Sequence, residues 1–69
     1  MKKYYVHYTK RFISGLLAGM DVKATISYPE PDMADAAAIG LTRYTPEHPC
    51  RAIGGARFHV VSAYVSQER

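Results

Sequence analysis

The sequence predicts an α+β fold of order ββαββ, an antiparallel sheet with one helix packed on one of its faces. Three observations predict it. Two stretches in the first half alternate apolar and polar residues. One stretch in the middle repeats its apolar residues every three to four positions, and a Gly54-Gly55 pair divides a β-rich tail.

The first strand is expected over Lys3 to Ile13. Tyr4, Val6, Tyr8 and Phe12 fall on one face, and Lys3, Tyr5, His7, Thr9 and Arg11 on the other. Lys10 falls on the apolar face, where a snorkelling stem accommodates it. The second strand, Met20 to Tyr28, alternates more cleanly: Met20, Val22, Ala24, Ile26 and Tyr28 against Asp21, Lys23, Thr25 and Ser27. The short loop Ser14 to Gly19 makes an antiparallel hairpin the economical connection.

Pro29-Glu30-Pro31 ends the second strand. Asp32 is the expected N-cap, with Asp35 in the first turn, where negative charge suits the helix dipole. Met33, Ala36, Ala37, Gly40, Leu41 and Tyr44 then mark one helical face, and Pro46 stops a helix read over Asp32 to Tyr44. A short strand over Cys50 to Ile53, a tight Gly54-Gly55 turn and a strand over Ala56 to Val65 complete the order. That last strand reads as apolar on both sides, with Phe58, Val60 and Tyr64 against Val61, Ala63 and Val65. Such a strand is central or faces a second subunit.

The 69 residues form one domain, 1–69, and a chain this short buries only about 60% of the surface its unfolded form exposes. Hydrophobic residues make up 48% of the chain, but nine are Ala and six are Tyr, so the core rests on few large side chains. A homodimer is one way to supplement it. The lone Cys50 gives no disulfide framework and points to a reducing, cytoplasmic location. Phe12 to Met20 is an apolar run of nine residues, too short to span a bilayer. Its flanks do not suit a signal peptide, and no membrane association is expected.

No catalytic constellation stands out. His48 and Cys50, with His7 and His59 elsewhere, offer metal-ligand types without the paired spacing of a zinc site. Cys50 lacks an evident orienting group for a thiolate pair with His48 or His59. Asp32 and Asp35 read as helix-start residues, Glu30 and Glu47 as loop residues, and no glycine-rich phosphate loop follows a strand. A non-enzymatic protein without metal or cofactor is expected.

Two binding readings remain. In the first, an unidentified protein partner is held by Leu16 and Leu17 at the hairpin tip and by Val61 and Val65 of the last strand. In the second, Tyr5, His7, Arg11 and Lys23 on the open face of the first hairpin bind single-stranded nucleic acid, in keeping with a net charge of +3 and a pI near 9.2. The run from Tyr5 through Gly19, YVHYTKRFISGLLAG, resembles the opening of small accessory proteins encoded by phages and enterobacterial prophages. The resemblance implies a protein that binds and alters a host protein or nucleic acid, and it carries no site residues with it.

Overall fold

The computed structural model describes residues 3–52 and 54–67. Five elements follow one another: β1 (Tyr4–Phe12), β2 (Asp21–Tyr28), α1 (Pro31–Thr42), β3 (Cys50–Arg51) and β4 (Arg57–Gln67). This is the expected ββαββ order. All strand pairs are antiparallel and the sheet runs β2-β1-β4-β3, so the two hairpins meet through β1 and β4. Of the expected short strand over Cys50 to Ile53, β3 covers Cys50 and Arg51, while Ile53 lies outside the described residues. Among the described residues, no helix is long and apolar enough to cross a membrane.

The β1–β2 register is unbroken from Tyr4 opposite Tyr28 to Arg11 opposite Asp21. Paired residues project to the same side, so the alternation in the sequence becomes two faces. Val6, Tyr8, Lys10, Phe12, Val22, Ala24, Ile26 and Tyr28 form an inner face under α1. Tyr5, His7, Thr9, Arg11, Asp21, Lys23, Thr25 and Ser27 form an open outer face. In the connecting loop Gly15 adopts φ +88°, and a Cβ there would approach the Ala56 Cβ to 3.0 Å. Glycine thus lets this loop lie against the turn between β3 and β4.

β4 is central, between β1 and β3, but a different feature explains its two apolar sides. The β1–β4 register shifts between Thr9, opposite Ser62, and Lys10, opposite Val60. Val61 has no partner on β1 and is 46% exposed. This extra residue is a bulge, and it resets the alternation. Phe58 and Val60 before it, and Ala63 and Val65 after it, therefore share the inner face with Phe12, Lys10, Tyr8 and Val6. Tyr64, grouped with Phe58 and Val60 in the sequence pattern, stands on the outer face opposite His7.

The helix begins one residue earlier than expected. Its N-cap is Glu30, in an extended conformation and without a side-chain cap, rather than Asp32. Pro31 occupies the first turn, where its missing N–H costs nothing and its fixed φ suits the helix. Asp32 becomes a first-turn acid, and the helix closes at Arg43, whose N–H donates to the Gly40 carbonyl while the Tyr44 N–H donates to that of Leu41. The face toward the sheet is Ala34, Ala37, Ala38 and Leu41, while Met33 is 47% exposed. The helix is thus turned by about one residue from the stripe drawn through Met33, and small alanines bring it close to β4 and β1.

Val6, Phe12, Ala34 and Phe58 are the buried hydrophobic residues among those described. The Phe12 and Phe58 rings meet at 5.6 Å, and Tyr44 reaches Phe58 at 6.3 Å. Lys10 bends its stem over this cluster and sets its ammonium 5.0 Å from the Phe58 centroid and 5.5 Å from that of Phe12. A cation over aromatic faces is how a lysine on the inner face is accommodated.

Candidate nucleic-acid interface

The outer face gathers what the sequence scattered. His7 lies at its centre on β1, the strand between β2 and β4. Its Nδ1 is 3.1 Å from Thr25 Oγ1 on β2, and its Nε2 is 2.6 Å from Ser66 Oγ on β4. Whichever nitrogen carries the proton donates to one hydroxyl, and the other accepts from the second. Both neighbouring strands therefore fix the ring. The Tyr64 ring stacks on it at 4.9 Å and 25°, and Tyr5 lies 6.3 Å away on the same strand. Tyr64 remains 61% exposed. Beside this aromatic row is a depression of about 380 Å³ bordered by His7, Thr9, Lys23, Thr25, Ser62 and Tyr64.

Tyr5, His7, Arg11 and Lys23 are thus brought onto one face, as their alternation implied. Arg11 differs from the rest, because it is already engaged. Its Nε donates to Asp21 Oδ1 at 2.7 Å and its Nη2 to Oδ2 at 3.1 Å. This two-point pair raises the Arg11 pKa. It also lowers the Asp21 pKa, chiefly through the hydrogen bond, with the Arg11 and His59 charges acting in the same direction. Arg11 faces Asp21 across the β1–β2 ladder, a relation visible only once the register is known.

Sequence reasoning missed two groups. Tyr64 was hidden by the bulge, which moves it from the inner to the outer phase. Arg51 and Arg57, paired across β3 and β4, extend the outer face beyond Arg11 and His59. The described ladder residues of this face include the cations Arg11, Lys23, Arg51 and Arg57 against the single acid Asp21. The acids Glu30, Asp32, Asp35 and Glu47 belong to the helix start and the loops outside the ladder. A basic, aromatic and hydroxyl-rich face is therefore separated by the sheet from an acidic helix end.

The four residues of the other binding reading are not brought together. Leu16 is fully exposed and Leu17 is 42% exposed. With Phe12, Gly15, Gly54, Gly55 and Ala56 they line a hollow of about 430 Å³ between the two turns. Val61 sits in the bulge partway along the sheet. Val65 is half-buried on the inner face opposite Val6, near the far end.

Cys50 lies opposite Phe58, while His59 lies on the other face opposite Arg11. Tyr44 is the group beside Cys50, and a hydrogen bond with that sulfur, followed by its charge, raises the phenol pKa. Among the described residues, no three of His, Cys, Asp and Glu come together as a metal-binding group. Comparison of the chain with known protein families, with curated proteins and with solved structures returns no match.

Proposed function

We propose that the protein is a small single-stranded nucleic-acid-binding module that works through the outer face of its sheet. The observation that carries this reading is the coincidence of the His7–Tyr64 stack with the basic side of the sheet. Bases stack on the exposed ring of Tyr64 and beside Tyr5, a sequence-tolerant interaction because every base has a π-face. Lys23, Arg51 and Arg57 hold phosphates, and the hydroxyls of Thr9, Ser27 and Ser62 offer hydrogen bonds to sugars and base edges. The hydrogen bonds that fix His7 mean that little ordering remains to be done on binding. The acidic helix end, turned to the other side, orients the approaching strand toward the basic face. The single Cys50 accords with action in the cytoplasm.

Fluorescence anisotropy with labelled oligothymidine and oligouridine at low salt tests the reading. Replacing Tyr64 by Ala removes one stacking surface worth about 1–3 kcal/mol, a loss of roughly 5- to 150-fold in affinity. No binding by the wild type, or an unchanged affinity for Tyr64→Ala, overturns it.

A second reading, capture of a protein partner at the hairpin tip, is favoured by one specific observation. Leu16 stands fully exposed instead of folding back over the core. The double change Leu16→Asp and Leu17→Asp separates the readings, since it removes a partner held at the tip while leaving the outer face untouched.

A further inference from the structure

We infer that a second copy of this chain pairs with the first along β2, antiparallel and about a twofold axis perpendicular to the sheet, to form one continuous eight-stranded sheet. The first support is the edge itself. β2 is the outermost strand on its side, eight residues long, with no proline and no irregularity in its register. The Phe12 N–H donates to the Met20 carbonyl at 3.1 Å, which sets the phase of the ladder. In that phase Val22, Ala24 and Ile26 bond to β1, and the N–H and C=O groups of Lys23, Thr25 and Ser27 point to the open edge. Exposed edges are commonly blunted by bulges, prolines or inward charges; the charges of β2 are Asp21 and Lys23, both on its outer face.

The second support is the apolar surface beside that edge. α1 packs on β4 and β1 and barely reaches β2. Ile26 is left 39% exposed, with Met20 at 54% and Met33 at 47%. The third is area. A monomer of 7.7 kDa is expected to expose about 4,300 Å², whereas this chain exposes 5034 Å². The excess, roughly 700 Å², is close to the roughly 800 Å² that each partner contributes to an interface of standard size.

The residues also fit themselves. A perpendicular axis keeps the two inner faces on one side and sets edge-directed residues against edge-directed residues. Placed at Thr25, it sets Ala24 against Ile26 of the second copy, Val22 against Tyr28, and Lys23 against Ser27. Thr25 meets its own copy, a favourable cross-strand pair, and no like charges are opposed. An axis at Lys23 would oppose two lysines and is excluded on that ground. The pairing stands independently of any ligand. If the outer face binds nucleic acid, its two Tyr64 rings lie five strand spacings apart, about 24 Å, on one unbroken surface.

Sedimentation of the full chain without nucleic acid, combined with amide exchange read residue by residue, tests this. The expected mass is twice 7.7 kDa, with the Lys23, Thr25 and Ser27 amides protected and their exchange accelerating on dilution. Thr25→Pro removes an edge-directed N–H that no β1 partner uses; it should leave a folded chain by circular dichroism that sediments at 7.7 kDa. If that variant does not fold, exchange in the wild type decides alone. A wild-type monomer at high concentration, or a dimer in which these three amides exchange freely, overturns the inference.

Discussion

Arg11 and Asp21 face each other at one end of the β1–β2 ladder on the proposed interface, and the cation there is matched by the carboxylate at 2.7 Å. Asp21→Asn should release that guanidinium to a phosphate, so that loss of an ion pair strengthens binding. Among the described ladder residues, the outer-face cations without such a partner are Lys23, Arg51 and Arg57. Each phosphate neutralised on a single strand contributes about −0.7 to the slope of log K against log salt. Three contacts give a slope of about −2.1, so raising salt from about 50 to about 200 mM weakens binding about 20-fold. With Arg11 released, the slope steepens to about −2.8 and the same change weakens binding about 50-fold. Lys23→Ala should move the slope the other way, to about −1.4. Anisotropy titrations across that salt range measure all three proteins, and circular dichroism confirms that each is folded. If Asp21→Asn binds more weakly than the wild type at low salt, or with an unchanged slope, Arg11 does not face the ligand and the outer-face site is misplaced.

Two further outcomes follow from the packing and the charges. Phe58→Ala removes the ring that joins Phe12, Tyr44 and Lys10, at a cost of about 3–5 kcal/mol, a large part of the roughly 3–10 kcal/mol expected for a chain of this size. Near-ultraviolet circular dichroism during thermal melting should show a transition many degrees below that of the wild type, and a melt within a few degrees of wild type would contradict the core assignment. The Arg11–Asp21 pair has a defined pH signature, because the folded-state pKa of Asp21 is lowered from 3.8. Its contribution is fully present above 3.8 and is lost as pH falls through the depressed folded value. The melting-temperature difference between wild type and Asp21→Asn should therefore persist at neutral pH and vanish in acid. A difference that remains undiminished at the lowest pH would show that the carboxylate acts through something other than its charge.

The first hairpin was legible because its determinants are local. Alternation, interrupted only by Lys10, specifies the faces of β1 and β2, and glycines at both ends of a short loop admit the backbone needed to join them. The helix was legible in extent but less so in phase. Large side chains dominate an apolar-periodicity reading, yet the residues that meet the sheet are Ala34, Ala37 and Ala38, and Met33 is left outside. Pro31 looked like a terminator of what precedes, although its chemistry equally suits a first helical turn. Tyr5, His7 and Lys23 could be placed on one face by alternation alone. That Arg11 is matched by Asp21 could not, since the two are joined through pairing rather than proximity in sequence.

The largest difference lies in β4, where one residue governs both the core and the proposed site. Val60-Val61-Ser62 contains only residues that suit a strand, and nothing in it marks an interruption. The interruption is imposed by β1, whose Val6 and Tyr8 require apolar partners at the same time as Lys10 and Phe12 oppose Val60 and Phe58. Continued without a bulge from Lys10 opposite Val60, the ladder would set Ser62 against Tyr8, Ala63 against His7 and Tyr64 against Val6. A hydroxyl would then enter the core, and the stacking ring would leave the outer face. With Val61 set aside, Ala63 and Val65 reach the core and Tyr64 meets His7. The same irregularity that lets the inner face close thus assembles the aromatic pair on the outer one, which is why a reading that assumed a regular strand missed both.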